Sequence, residues 1–435
     1  MAALEKEAAA AATTSKPEGI TLQPTEEGPT RWSFQDEPQA PSDETPINDD
    51  VSIKQRGEGV GVGLFARRTL AAGAAVLRRA PVAHAARGFD GPRCDACLSP
   101  VDKSVACRGG CGKVIYCGRA CATSEAAADH VACGECAAAA ALQKLLPTCL
   151  LAARVVRRAR KDGAVLKYVR ALRRKPEPYD DELRAAARVV QALSGDADEN
   201  LCALVLAVLE RNAHSVCDDE LREVGVALYP RDVTAANHCC RPTIWPRFRF
   251  SPAKPPCLEY AVLRDVEKGS ELTHEYADLL APDRRDQLRR SYGFVCTCDE
   301  CAFSTKAREA ARDSLRAQRD ALEVHLKAED WDQAGEKAEA VARLEGFWSP
   351  GHPYTALHRL RCAKLQTLLG NARQAQVHVL LALVRLTISH GKESALAQEA
   401  AAMQARVIHE REGRILKADE SSDDDFDWRK GMRKW

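Results

Sequence analysis

Two short segments of the chain combine side chains that could take part in chemistry. Residues 237–242 place an amide, an imidazole and two thiols in succession, and 296–301 carry a C-x-C-x-x-C triplet. That spacing presents three thiolates on tight turns, which is typical of a tetrahedral zinc site whose fourth ligand comes from elsewhere. Tyr276 and Tyr292 lie between the two segments. Taken singly, such a tyrosine is typical of a packed strand, and an Asn-His pair is as typical of a turn or a metal ligand as of a cofactor site. The information lies in the order of these residues along the chain.

A second group of possible ligands lies between residues 94 and 136. It comprises Cys94, Cys97, Cys107, Cys111, Cys117, Cys121, His130 and Cys133, with Cys136 as an alternative to Cys133. Pairs at C-x-x-C and C-x3-C spacing suit tetrahedral zinc, and ordinary structural cysteines rarely fall in this order. Because the segment has few large apolar residues, metal binding would supply its folding energy. The sequence therefore predicts a zinc module here.

Composition and charge indicate where such thiols could stay reduced. The chain has 435 residues, 18 cysteines, and 63 basic against 62 acidic residues, so its overall charge favours neither nucleic acid nor membrane. The N-terminus carries Glu5 and Glu7 within an Ala-rich run, which is unlike a secretory signal. The most apolar stretch, 137–153, is interrupted by polar residues and a proline. We therefore expect the cytosol or the nucleus, metal binding rather than disulfides, and no membrane partner.

The order of the motifs resembles that of a known enzyme family. Residues 224–242 are similar to V-G-x-x-L-Y-P followed by N-H-S-C-x-P, and Tyr292 opens the pattern Y-G-F-x-C-x-C-x-x-C. Together they resemble the catalytic end of a SET-domain protein lysine methyltransferase. The zinc module at 94–136 resembles a MYND finger, and Gly61, Val62 and Gly63 are similar to the glycine turn of SET enzymes. A MYND finger inserted in a SET domain is characteristic of the SMYD-like family.

Five positions depart from the family pattern. Val60 stands where the family often carries a basic residue, which puts one polar cofactor contact in question. Cys239 replaces serine and Thr243 replaces asparagine around the Asn-His pair. His274 and Glu275 fall in a segment that is otherwise close to G-E-E-L-T-I-S-Y.

The resemblance implies an S-adenosylmethionine-dependent protein lysine N-methyltransferase that acts on histone or non-histone proteins. It implies catalytic roles for Tyr276 and Tyr292, which would line the lysine channel. The cofactor would be bound by Gly61, Val62, Gly63, Asn212, Asn237, His238, Tyr276 and Phe294. Three zinc ions would be held by Cys94, Cys97, Cys117 and Cys121; by Cys107, Cys111, His130 and Cys133; and by Cys240, Cys296, Cys298 and Cys301.

The predicted fold is α+β, with a β-rich SET domain split by the finger and a helical insert and followed by an all-α, TPR-like domain. The predicted ranges are a disordered leader (1–50), the N-terminal SET part (51–93), the MYND finger (94–136), the helical insert (137–210), the SET core (211–290), the closing zinc segment (291–305), the helical domain (306–417) and an acidic disordered tail (418–435). The helical ranges rest on apolar residues that recur at helical period.

Two other interpretations remain open from the sequence. The first is an adaptor, in which the finger and the helical array recruit protein partners, proline-rich peptides among them, around an inactive SET domain. The second is nucleic-acid binding through the finger and the basic run at 154–161, which we interpret instead as a solvated helix face. A nucleic-acid contact would require that basic face to be continuous in space.

Overall fold

The structure is a computed structural model that describes residues 44–56, 61–87, 91–142, 144–195 and 197–411. Most of the predicted leader, the departure at Val60 and the predicted acidic tail lie outside the described residues. The strands are β1 (Glu44–Pro46), β2 (Val51–Gln55), β3 (Val62–Ala66), β4 (Ala75–Arg79), β5 (Ala83–Ala86), β6 (Val105–Ala106), β7 (Ile115–Tyr116), β8 (His214–Cys217), β9 (Glu223–Leu228), β10 (Asn237–His238), β11 (Ile244–Ser251), β12 (Lys254–Val262) and β13 (Glu271–His274).

The helices fall into three groups along the chain. They are α1 (Arg119–Ala122), α2 (Glu125–Ala132), α3 (Glu135–Ala141), α4 (Pro147–Lys161), α5 (Gly163–Ala171), α6 (Asp181–Leu193), α7 (Glu199–Asn212), α8 (Arg231–Thr234), α9 (Arg284–Gln287), α10 (Asp299–Ala302), α11 (Lys306–Lys327), α12 (Trp331–Arg343), α13 (Pro353–Leu368), α14 (Ala372–Ser389) and α15 (Ala395–Arg411). A π-helical turn, Leu288–Tyr292, follows α9, and a 3-10 turn, Glu345–Phe347, follows α12. The predicted α+β architecture is confirmed.

Three small sheets form the β-rich part. Their strand orders are β1-β2-β3-β13-β10, β11-β12-β4 and β5-β9-β8. Every pairing in them is antiparallel except that of β10 with β13, which places Asn237 opposite Thr273 and His238 opposite His274. The inward faces share one core, in which Leu64, Tyr260 and Leu272 are fully buried. The sheets thus hold the Asn-His pair beside the strand that leads to Tyr276.

The predicted leader is too long by one strand. Glu44–Pro46 pairs with β2, although we expected no fixed structure before residue 51. Asn48 explains the order, because its side-chain oxygen accepts hydrogen bonds from the amides of Asp50 and Val51, at 2.9 Å each. Its amide also donates to the carbonyl of Val76 at 2.9 Å. The Asn-Asp-Asp composition that suggested disorder is here a hydrogen-bonded turn.

The zinc module is a small unit with a core made mainly of cysteines. A two-stranded sheet, β6 with β7, precedes the short helices α1 to α3. Tyr116 is the one large aromatic side chain buried among the cysteines of this cluster in the described residues. The tip of the β11–β12 hairpin docks here, because the amide of Ala253 donates to the sulfur of Cys121 at 3.1 Å.

The helical insert, α4 to α7, packs around its own apolar core. Our interpretation of the basic run as a solvated face is wrong for two of its residues. Arg154 and Arg157 point inward and form salt bridges with the fully buried Glu135. Those two guanidinium groups are therefore not part of a continuous basic surface.

The C-terminal helices α11 to α15 stack in antiparallel pairs. They dock against the SET core through the segment between α12 and α13. There the hydroxyl of Ser349 donates to the carbonyl of Pro242 at 2.7 Å, and the His352 ring stands edge-on to Trp245. Among the described residues, no helix combines the length and apolar character needed to cross a bilayer.

Candidate active site and metal centres

Three groups of thiols and imidazole have the geometry of tetrahedral zinc sites. They are Cys94, Cys97, Cys117 and Cys121; Cys107, Cys111, His130 and Cys136; and Cys240, Cys296, Cys298 and Cys301. A zinc–sulfur bond of about 2.3 Å in a tetrahedron places two sulfurs roughly 3.8 Å apart. Representative pairs lie at 3.7 Å (Cys97 with Cys117), 3.5 Å (Cys107 with Cys136) and 3.6 Å (Cys240 with Cys301). These separations exceed the length of a disulfide and fit a shared metal ion.

The second group corrects one predicted ligand, since Cys136 takes the place of Cys133. Helix α2 ends just before Cys133, whose thiol turns toward the carbonyl of His130 at 3.9 Å. Gly134 then reverses the chain with a φ of 83°, and Cys136 enters from the first turn of α3. Gly109 leaves room for it, because a Cβ there would lie 2.4 Å from the Cys136 sulfur. The helix break thus selects the later cysteine.

His130 is oriented by a buried carboxylate that the sequence analysis missed. Its Nδ1 lies 2.6 Å from Oε1 of Glu135, and its Nε2 lies 3.5 Å from the sulfur of Cys111. Burial opposes ionisation of Glu135, but Arg154, His130 and Arg157 outweigh it and hold the pKa of that carboxyl well below its ordinary value. A carboxylate on the far nitrogen leaves Nε2 as the metal-binding atom of a histidine. Helix α4 therefore supports the second group through Glu135.

The third group ties the Asn-His loop to the closing segment. Cys240 follows the loop directly, while the other three thiols surround the start of α10. Arg284, 4% exposed, donates to the sulfur of Cys301 at 3.5 Å and to the carbonyl of Leu279 at 2.7 Å. Four thiolates around one divalent ion leave an excess of negative charge, which a buried guanidinium offsets. Nothing in the sequence separates Arg284 from its basic neighbours.

Asn237 fixes the glycine turn that precedes β3. Its side-chain amide donates to the carbonyl of Val62 at 2.9 Å and to Oε1 of Glu271 at 2.8 Å. Gly63 permits this approach, because a Cβ there would lie 2.6 Å from that oxygen of Glu271. The predicted cofactor residues Val62, Gly63 and Asn237 are thus brought together. The G-E-E-L pattern was the available signal for Glu271.

His238 joins the third metal group to Tyr276. The backbone amide of Tyr276 donates to Nδ1 of His238 at 3.0 Å, so this nitrogen accepts and the proton of the neutral ring lies on Nε2. That proton points to the sulfur of Cys240, at 3.4 Å. Burial lowers the pKa of His238 to about 4, in keeping with a neutral ring. Both ring nitrogens are therefore engaged within the protein.

Four aromatic rings converge beside this loop. Tyr276 and Tyr292 have centroids 4.8 Å apart, Tyr276 and His238 lie 5.5 Å apart, and Phe294 stands 5.9 Å from His238. The hydroxyl of Tyr276 donates to the carbonyl of Ala236 at 2.8 Å. Burial raises the pKa of both phenols, so each stays protonated and able to donate. The two tyrosines and the phenylalanine that the sequence singled out thus form one cluster.

The remaining predicted cofactor residues lie at one edge of this cluster. Asn212 ends α7, and its side-chain amide donates to the carbonyls of Val208 and Arg173, at 2.7 Å each. The guanidinium of Arg173 lies against Gly61, where the φ of +86° favours glycine. Asn212 therefore contacts a loop beside the glycine turn.

Comparison with curated proteins identifies relatives along much of the chain. N-lysine methyltransferase SMYD2 of Gallus gallus is 27% identical over 278 residues, which are 57% of this chain and 62% of that protein. Its Homo sapiens counterpart is 30% identical over 161 residues, 33% of this chain and 36% of that protein. The chain thus spans less than two thirds of the length of either protein. Histone-lysine N-methyltransferase SMYD3 of Homo sapiens is 24% identical over 410 residues, 78% of this chain and 93% of that protein.

No protein-family model matches the chain. The assignment therefore depends on these relatives together with the three metal groups, the helical C-terminal domain and the tyrosine-bearing SET motifs. On these grounds the chain belongs to the SMYD-like family, whose members carry a MYND zinc finger within a SET domain.

Proposed function

We propose that the chain is an S-adenosylmethionine-dependent protein lysine N-methyltransferase that acts on histone or non-histone proteins in the cytosol or nucleus. The observation that carries the proposal is the meeting of Tyr276, Tyr292 and Phe294 with the Asn-His loop. The relatives support it, because they are named N-lysine and histone-lysine methyltransferases. Three zinc ions would hold the finger and the closing segment in place, and each group offers four ligands, as structural zinc sites do.

S-adenosylmethionine would supply an electrophilic sulfonium methyl group. The residues of this chain would have to bring a lysine nitrogen to within about 3 Å of that carbon, in line with the bond that breaks. The amine must also be neutral, although a free lysine has a pKa of about 10.4. A site walled by the rings of Tyr276, Tyr292 and Phe294 disfavours the ammonium form and lowers that pKa. The protonated phenol of Tyr292, with only a 3.5 Å contact to the carbonyl of Tyr276, would orient the amine.

The adaptor alternative drew support from the departures from the family pattern. Two of them leave the local geometry intact in the structure. The hydroxyl of Thr243 accepts a hydrogen bond from the amide of Thr273 at 2.9 Å, so it still ties the loop to β13. The His274 ring is buried and lies 4.8 Å from that of Tyr276, where it supports the cluster. We therefore place the transferase before an adaptor that would recruit proline-rich peptides through the finger.

The test combines cofactor binding with methyl transfer. The purified chain is titrated with S-adenosylhomocysteine by calorimetry, and a protein array is then incubated with radiolabelled S-adenosylmethionine. We expect Tyr292→Phe to lower transfer at least tenfold while binding changes little. Tyr179→Phe is the matched control, because Tyr179 is buried in the helical insert and its hydroxyl has no hydrogen-bond partner. Absence of both binding and transfer in the unaltered chain would overturn the proposal, and binding without transfer would favour the adaptor.

A further inference from the structure

A guanidinium group lies at the glycine turn of the proposed cofactor site. A Cβ built on Gly61 would stand 3.1 Å from the terminal nitrogen Nη2 of Arg173. Arg173 belongs to the loop after α5, far from the glycine turn in sequence and outside every motif that the sequence analysis singled out. The fold therefore supplies a cation at the turn where Val60 supplies none.

The backbone of this loop is held in place by α7. The carbonyl of Arg173 accepts a hydrogen bond of 2.7 Å from the side chain of Asn212, and the amide of Lys175 donates to the carbonyl of Ala207 at 3.2 Å. The Arg173 side chain is exposed and extends from this anchored backbone toward Gly61. This placement gives Asn212 a positioning role in the loop.

The other cations near the turn differ from Arg173 in their surroundings. Arg56 forms a salt bridge of 3.1 Å with Glu271, which also accepts the hydrogen bond from Asn237. Arg211 lies against Gly293, where a Cβ would stand 3.3 Å from its terminal nitrogens. Burial and Tyr292 raise the pKa of Tyr276 while Arg173 acts in the opposite direction, so Arg173 lies within electrostatic reach of that phenol.

We propose that Arg173 binds the carboxylate of S-adenosylmethionine, in place of the basic residue that is absent at Val60. The inference rests on the proposed function. The carboxylate is the only anionic group of that cofactor, whereas its sulfonium and ammonium groups repel a guanidinium. Arg173 at Gly61 and the aromatic rings around Tyr276 would therefore orient the bound molecule, with its carboxylate at the glycine turn and its sulfonium among the rings.

The test compares two ligands that share the nucleoside. S-adenosylhomocysteine carries the carboxylate, and 5′-methylthioadenosine lacks the whole amino-acid part. We expect Arg173→Ala to weaken binding of S-adenosylhomocysteine by roughly 10- to 100-fold, as for the loss of a charge-assisted pair, and to leave 5′-methylthioadenosine within about twofold. Calorimetry of the full chain gives both affinities without any need for turnover.

Two further variants sharpen the comparison. Arg174→Ala removes the same charge from the next residue, whose guanidinium turns back to the carbonyl of Arg170 at 3.4 Å, so it should change neither affinity. Adding Val60→Arg to Arg173→Ala should restore much of the lost affinity. Unchanged S-adenosylhomocysteine binding in Arg173→Ala, or an equal loss for both ligands, would overturn the assignment while leaving the proposed function intact. If the unaltered chain bound neither ligand, the proposed function itself would fall.

Discussion

At the scale of single residues, several side chains act on metal ligands rather than as ligands. Glu135 holds the far nitrogen of His130, and Arg284 donates to Cys301. Each is nearly fully buried, where an uncompensated charge would be costly. Burial disfavours the charged form of Arg284, yet the thiols of Cys240 and Cys301 raise its pKa, because their negative charge stabilises the guanidinium. The chemistry of the metal groups therefore depends on residues that no cysteine spacing reveals.

Zinc content distinguishes the two cysteines at the end of α2. Cys136→Ser should reduce the zinc bound per chain by about one ion, because the second group would keep only three ligands. Cys133→Ser should leave the content unchanged, because that sulfur lies outside the group. Elemental analysis of the purified proteins, after dialysis against a weak chelator, measures both. Loss of zinc in Cys133→Ser with retention in Cys136→Ser would contradict the geometry described above.

At the scale of elements, local pattern was enough for the C-terminal helices. The apolar period predicted helices over 331–344, 354–369 and 372–390, and the structure has Trp331–Arg343, Pro353–Leu368 and Ala372–Ser389. The preceding helix begins at Lys306 rather than at 321, because its first turns carry mostly charged residues and few apolar ones. Local signals failed where order depends on distant partners.

The candidate site shows the same division. Its cysteines, tyrosines and Asn-His pair were found from spacing and resemblance, and the structure brings them together. The parallel pairing of β10 with β13 and the hydrogen bond from Asn237 to Glu271 join segments far apart in sequence. Arg173 could not be found from sequence for the same reason, since only the packing of the helical insert brings its loop to Gly61.

One carboxylate joins three elements of the helical domain, and its titration can be tested. Glu345, in the 3-10 turn, pairs with Arg359 of α13 and with Arg385 of α14. Burial opposes ionisation, but Arg385 and Arg359 together lower the pKa of Glu345 from 4.5 to about 2. Since the folded-state pKa lies below the unfolded one, the stabilisation is present above about pH 4.5 and is lost as the pH falls toward 2.

Glu345→Gln should therefore lower the free energy of unfolding by about 1–3 kcal/mol at pH 7.5, after allowance for partial solvent exposure. The gap from the unaltered chain should narrow as the pH falls from 4.5 toward 2. Urea unfolding at several pH values measures this gap. Glu393→Gln is the control, because its carboxylate is 81% exposed and lies 3.8 Å from Lys392. A gap that widened in acid, or one no larger than that of the control, would contradict the assignment.

At the scale of the whole molecule, the proposed site is enclosed by parts of the chain that lie far apart in sequence. The glycine turn comes from the N-terminal sheet, the Asn-His loop and Tyr276 from the later SET strands, and Arg173 from the helical insert. The helical domain supports the loop from behind, since Ser349 binds the carbonyl of Pro242. The amide of Leu263, in turn, donates to the carbonyl of Thr243 at 2.8 Å. Docking of the C-terminal helices is thus coupled to the position of the loop.

Gly351 gives a way to disturb that docking without touching the site. A Cβ there would lie 2.4 Å from the carbonyl oxygen of Leu263 and 2.4 Å from Cγ2 of Ile388, and the backbone of Leu263 cannot yield as a flexible side chain can. Gly351→Ala should therefore push the helical domain away from the SET core, at a cost of about 1–3 kcal/mol. Gly346→Ala is the matched control, since a Cβ at that position would meet nothing within 4 Å.

Hydrogen exchange measured by mass spectrometry reports where the Gly351→Ala protein loosens. We expect faster exchange in 237–243 as well as in 349–353, because Leu263 is hydrogen-bonded to Thr243 and a displaced Leu263 would carry the change to the loop. Affinity for S-adenosylhomocysteine should fall with it, whereas Gly346→Ala should match the unaltered chain in both measurements. Faster exchange confined to the helical domain, with affinity unchanged, would mean that the SET core holds the loop without help from the C-terminal helices.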